Sequence, residues 1–260
     1  AATITGNTIS GFRTPFANDA SVAGIYVENA FTNAAHPAGG GQYSKTITIS
    51  NNNIHDSQFG LYIGNETNGS AGNVSINGTV SGNNLHNNIN AGALITDEDK
   101  TNGSKIDLAF SGNTVTNNTN YGYFIYTNGD GNITLNSSAD NFSGSAIGVS
   151  VKDYKANGDS SNYNLNFPLC NFATPVALVN DQDQAVSALN NWWGHITGPT
   201  TASRAAGQGN IVSNGVNYIP WVSSSPAATA NFDADGSLDK DDADDDNDGI
   251  PDASDNCPVT

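Results

Sequence analysis

Short runs of alternating apolar and polar residues recur along this chain, separated by Gly, Asn and Ser. A period of two is the signature of half-buried β-strands. One motif, small polar residues followed by Asn and a single apolar residue, sets the rhythm. It reads Gly6-Asn7-Thr8-Ile9, Asn51-Asn52-Asn53-Ile54, Gly82-Asn83-Asn84-Leu85 and Gly112-Asn113-Thr114-Val115, with weaker copies ending at Phe142 and Phe172. From Ile54 the apolar position advances by 31, 30, 27 and 30 residues, and the first step, from Ile9, is 45, as for one coil widened by loops. A second apolar strand follows each copy, at 24–27, 60–63, 92–95, 122–125, 146–149 and 176–179. A third, alternating strand precedes most copies, at 46–50, 73–77, 105–110, 132–136 and 162–167.

Three short strands per repeat predict a right-handed parallel β-helix of about six coils. Each strand would pair with its counterpart one coil up, about 4.8 Å away, and inward side chains would stack in columns. Ile9, Ile54, Leu85, Val115, Phe142 and Phe172 are then expected to form one buried column. Asn and Gly at the corners supply tight backbone, and stacked Asn side chains can hydrogen-bond between coils.

Composition sharpens this outline. The 260 residues suit one elongated domain, 1–222, a Ser/Pro/Ala linker, 223–230, and a tail, 231–260. Of the net charge of −17, the tail contributes −10, with 11 Asp and one Lys. A chain this acidic lacks the clustered Lys and Arg that nucleic acid or an anionic membrane surface requires. No run of 18 apolar residues predicts membrane insertion. The opening Ala1-Ala2 and the lack of Met predict a mature product cut from a signal-bearing precursor. Cys170 and Cys257 form no metal-ligand spacing, and Cys170 reads as a small core residue.

The repeat pattern resembles the parallel β-helix repeat (PbH1) proteins of the pectate-lyase-like superfamily over residues 1 to about 195. The segment Leu189-Asn190-Asn191-Trp192-Trp193-Gly194, with Gly198-Pro199 after it, resembles the end-of-helix element of secreted bacterial β-helix proteins. Trp192 and Trp193 are expected to lid the apolar columns of the open end, the alternative being a sugar platform. The stretch 209–222 is expected to pack back along the side of the helix.

The tail carries one calcium-loop spacing twice. With Asn231 as position 1, Asp233 and Asp235 fall at 3 and 5, Gly236 at 6, Ser237 at 7, Asp239 at 9 and Asp242 at 12. With Asp244 as position 1, Asp246, Asp248, Gly249, Ile250, Asp252 and Asp255 take the same places. Alternate oxygens, a Gly turn and a carboxylate at position 12 suit a hard cation of six to eight ligands, with Ser237 and Ile250 offering backbone carbonyls. The wording Asp248-Gly249-Ile250-Pro251-Asp252 with Asp255-Asn256-Cys257-Pro258 resembles thrombospondin type 3 repeats. That resemblance implies an extracellular or cell-surface location and calcium as the cofactor.

Chemistry on the helix itself is sparse. The β-helix resemblance implies polysaccharide lyases, hydrolases or epimerases, and Asp97, Glu98, Asp99 and Lys100 are the only acid–base cluster to carry it. A solvated turn is the plainer reading of four consecutive charged residues. His55 and His86 each follow the motif's apolar residue and are expected to stack on adjacent coils rather than to bind metal. Three functions remain open. The first is a structural or adhesive surface module, a candidate subunit of an extracellular filament that contacts glycans or copies of itself. The second is a polysaccharide-active enzyme. The third is a glycan-binding module using exposed Tyr26, Tyr62, Tyr123 and Tyr126, although Tyr26, Tyr62 and Phe124 share one strand position and suit an inward stack equally well.

Overall fold

The computed structural model describes residues 1–13, 22–32, 43–68, 74–98, 104–154 and 161–224. They form an all-β parallel solenoid with three walls. Wall one stacks Ala2–Thr5, Tyr43–Ser50, Val74–Ser81, Ser104–Ser111, Asn132–Ser138, Asn162–Asn166, Val186–Ser187 and Val216–Asn217. Wall two is narrow: Thr8–Ser10, Asn53–His55, Asn84–His86, Thr114–Thr116, Asn141–Ser143 and Asn171–Ala173. Wall three runs from Ala23–Thr32 through Phe59–Asn68, Ala91–Asp97, Tyr121–Thr127, Ile147–Asp153 and Val176–Asp181 to Gly209–Val212 and Pro199–Thr200. The six strands of wall two are joined by about five turns of chain, so the six expected coils are six stacked layers.

The register places Ile9, Ile54, Leu85, Val115, Phe142 and Phe172 directly over one another. All but Ile9, in the end layer, are completely buried. Strict alternation produces this, as in Ser104–Ser111, whose Ile106, Leu108 and Phe110 face inward. Complete burial of each such side chain stabilises the fold by about 1.5–3 kcal/mol. Phe142 and Phe172 stack with centroids 5.0 Å apart, and Trp193 stacks on Phe172 at 4.9 Å with planes 6° apart. Trp193 is fully buried and ends the column, while Trp192 is half-buried and its backbone pairs beside Asn171. The expected lid is therefore Trp193.

A column of glycines opens wall three: Gly24, Gly60, Gly92, Gly122 and Gly148. A Cβ at Gly122 would lie 2.4 Å from the Gly148 carbonyl oxygen and 2.7 Å from the Phe142 ring. At Gly92 it would lie 2.8 Å from Val115. Wall two presses its column against this line, so only glycine fits. The constraint corrects one expectation. The strand placed at 146–149 is Ile147–Asp153, because Gly148 rather than Ala146 fills the glycine position above Gly122. A second correction concerns 209–222. Gly209–Val212 and Val216–Asn217 extend walls three and one by a layer instead of packing along the side.

Each corner of the prism carries a buried polar ladder. Between walls one and two, the Asn52, Asn83 and Asn113 backbone N–H groups each donate to the side chain one coil up, Asn83, Asn113 and Asp140 respectively. Cys170 takes the next place in this ladder, buried, its N–H donating to Asn191 Oδ1 at 2.6 Å. Between walls two and three, Ser57 and Asn88 donate in the same way to Asn88 and Asn118. Between walls three and one, the Asn29 amide donates to Asn65 Oδ1, and the Asn65 amide to the Lys105 carbonyl. The turns beside the first two ladders need positive φ, which Asn51, Asn87 and Asn117 tolerate at 54–55° and Gly82 and Gly112 at 60–61°. Repeated Asn is thus both the turn residue and the rung.

Candidate functional site

Wall three departs from strict alternation, and that departure builds its outer face. Two successive positions, the glycine and the residue after it, both point inward. Tyr121 and Phe124, three residues apart, therefore both point out, where their rings stack at 4.8 Å. Ala23, Phe59, Tyr62, Ala91 and Leu94 form an apolar cluster of their own, apart from the solenoid core, with Tyr121, Phe124 and Tyr126 packed against it. The register aligns Tyr26, Tyr62, Leu94 and Phe124 in one outward column. Tyr26 and Tyr62 stack at 4.4 Å with planes 7° apart.

The inward stack expected for Tyr26, Tyr62 and Phe124 is thus corrected: the column is on the outside. Tyr123, expected to be exposed, is fully buried in the core, meeting Phe110 and Phe142 edge-on and donating its hydroxyl to Asp140 at 3.0 Å. Its place beside Ile125 in the inward alternation explains this. Tyr62 is outward yet only 4% exposed, and its burial raises its hydroxyl pKa above the ordinary range.

In its middle layers this face holds a trough of about 420 Å³, lined by Tyr121, Phe124, Tyr126 and Tyr154 with Asn90, Asn120, Asn128 and Glu98. Tyr154 is half exposed and meets Tyr126 edge-on at 5.4 Å. Tyr126 donates its hydroxyl to Glu98 Oε1 at 2.7 Å. Burial first, and the Glu98 contact second, push the Tyr126 hydroxyl well above the ordinary tyrosine range. A second depression, of about 570 Å³, lies at the N-terminal end between Ile4, Tyr26, Val27 and Ile47.

Of the expected acid–base cluster, Asp97 and Glu98 lie among the described residues. Asp97 is fully buried in the corner between walls three and one, accepting from Ser104 Oγ at 2.6 Å and from the Asn132 N–H at 3.0 Å. Glu98 turns instead to the trough, while its N–H donates to the Asn65 carbonyl at 2.8 Å. Asp97 and Glu98 therefore serve different sides of the wall. Asp99 and Lys100 lie outside the described residues.

His55 and His86 stack as expected, at 4.8 Å, on the outer side of wall two. His55 Nδ1 lies 2.7 Å from Asp56, which also pairs with Arg13 at 3.0 Å, and His86 Nε2 meets Asn53 Oδ1 at 2.9 Å. Burial, and then the neighbouring His55, lower the His86 pKa. Among the described residues no group of three His, Cys, Asp or Glu is placed to hold a metal ion. All of the calcium positions from Asn231 to Asp255 lie outside the described residues. No family model, no curated protein and no solved structure matches this chain.

Proposed function

We propose that this chain is an extracellular adhesive module, a stiff β-solenoid that offers the outer face of wall three to a partner surface. The observation that carries this reading is the run of solvent-reaching rings on that face, Tyr26, Tyr121, Phe124, Tyr126 and Tyr154, laid over a buried apolar cluster. Exposed apolar rings mark a contact surface when they are contiguous and rimmed by polar groups. Walls one and two offer no such cluster among the described residues: outward positions there are mainly Thr, Asn, Ser and Lys. The enzyme reading is weaker, because Asp97, its first candidate, closes a structural corner.

The tail belongs to the same proposal. Its two loop spacings support calcium binding and the thrombospondin type 3-like reading, and at extracellular calcium levels, millimolar, loops of this type fill. A calcium-stiffened tail would hold the solenoid away from whatever anchors it. Adhesion assays with the full chain and calcium, on intact cells, polysaccharide particles and protein-coated plates, test the proposal. Retention on at least one surface with no soluble sugar released is the expected result. Release of oligosaccharide, or retention on none, would overturn it.

A further inference from the structure

We infer that the wall-three trough binds a neutral hexopyranose chain. This rests on the adhesive reading above and names its chemistry. A pyranose ring has an apolar C–H face and a rim of hydroxyls, so its site needs flat apolar groups and fixed hydrogen-bonding groups at once. The trough supplies both. Tyr121, Phe124 and Tyr126 come from one strand of the wall, and Tyr154 follows the paired strand of the next layer. Asn120 and Asn128, both exposed, lie at either end of the strand that carries three of these rings. Their amides offer donors and an acceptor at the rim, and Glu98, held by Tyr126, offers a fixed acceptor.

The alternatives fit less well. A peptide strand is captured through unpaired N–H and C=O groups at a sheet edge. The trough lies on the side-chain face of strands whose neighbours on both sides are already paired. Charge narrows the sugar further. Among the described residues Glu98 is the sole charged group lining the trough, on a chain of net charge −17. A uronate or sulfated chain would meet repulsion at the rim and at long range. A neutral chain meets neither.

The test is calorimetric titration of the full chain, with calcium, against cellohexaose, laminarihexaose, mannohexaose and maltohexaose, with trigalacturonate as the anionic probe. Binding of at least one neutral hexasaccharide more tightly than trigalacturonate is expected. Tyr154→Ala and Asn128→Ala should each weaken it about tenfold, a loss of roughly 1.4 kcal/mol. Both side chains are solvent-facing, so the thermal midpoint should stay unchanged. Neutral binding that both variants leave intact would overturn the assignment of the trough, and preferred binding of trigalacturonate would overturn the neutral chemistry. If no sugar binds while the full chain still adheres to cells or protein-coated plates, this inference fails and the adhesive reading survives. Loss of all adhesion sinks that reading instead.

Discussion

Wall two and wall three share the same coils and one polar ladder, yet they spend their side chains differently. Wall two is three residues wide in every layer, with a single inward column and an outer face of Thr, Asn, Ser, two His and one Ala. Wall three is wider, faces two residues inward in succession, and carries rings on its outer face. Two phenylalanines make the contrast concrete. Phe142 on wall two lies inside, touching Tyr123 and Phe172, whereas Phe124 on wall three lies outside, against Tyr121 and Tyr126. The lesson is that apolar residues on a solenoid do two jobs, and the wall decides which.

If that division holds, the largest effect belongs to Phe142→Ala. It should cost about 3–5 kcal/mol, the usual range for a large-to-small change in a core, because Phe172 stacked on one side and Val115 on the other cannot close the gap. Denaturant unfolding reads this, and sugar binding at the trough should survive at low denaturant. Next comes Asn83→Ala. It leaves the Asn52 N–H without its buried acceptor and takes the Asn83 amide donor from the Ile49 carbonyl, at a cost of about 1–3 kcal/mol. Phe124→Ala should cost roughly 1 kcal/mol, since its ring is only part-buried, and should abolish binding. A loss as large as that of Phe142→Ala would erase the distinction between the walls.

The smallest effect is a pH dependence on wall two. Burial and His55 hold the His86 pKa below its ordinary value of 6.5, so the unfolded chain binds that proton more readily. The stabilisation is present in full above 6.5 and is lost as pH falls through the folded value. Asp56 adds a loss at lower pH, because its pKa is held below 3.8, first by His55. Arg13 also faces it. Thermal melts between pH 7 and 5 should show a falling midpoint that His86→Asn flattens, with no companion change in sugar binding. An unchanged slope in His86→Asn would contradict this assignment.

Much of wall two is legible in the sequence, because one Asn turn and one apolar residue repeat at nearly constant offset and each forces the next. The column from Ile9 to Phe172 and the lid at Trp193 follow from that spacing. Wall three is less legible. Its glycine column is visible in the sequence, but the reason for it is a contact with a different wall, at Val115 and Phe142. Without that contact, nothing says that the residue after the glycine also turns inward, so Tyr123 and Tyr62 cannot be assigned to their faces. The carboxylates Asp97 and Glu98 look alike in sequence. Only the corner geometry separates a rung from a trough residue.

Hydrogen exchange followed by mass spectrometry, with and without whichever of the four neutral hexasaccharides binds most tightly, tests the division of labour most directly. The account predicts added protection confined to segments 90–98, 120–128 and 147–154, with wall two at 84–86 and 114–116 protected equally in both states. Protection that appears on wall two, or none on wall three despite saturating sugar, would contradict it.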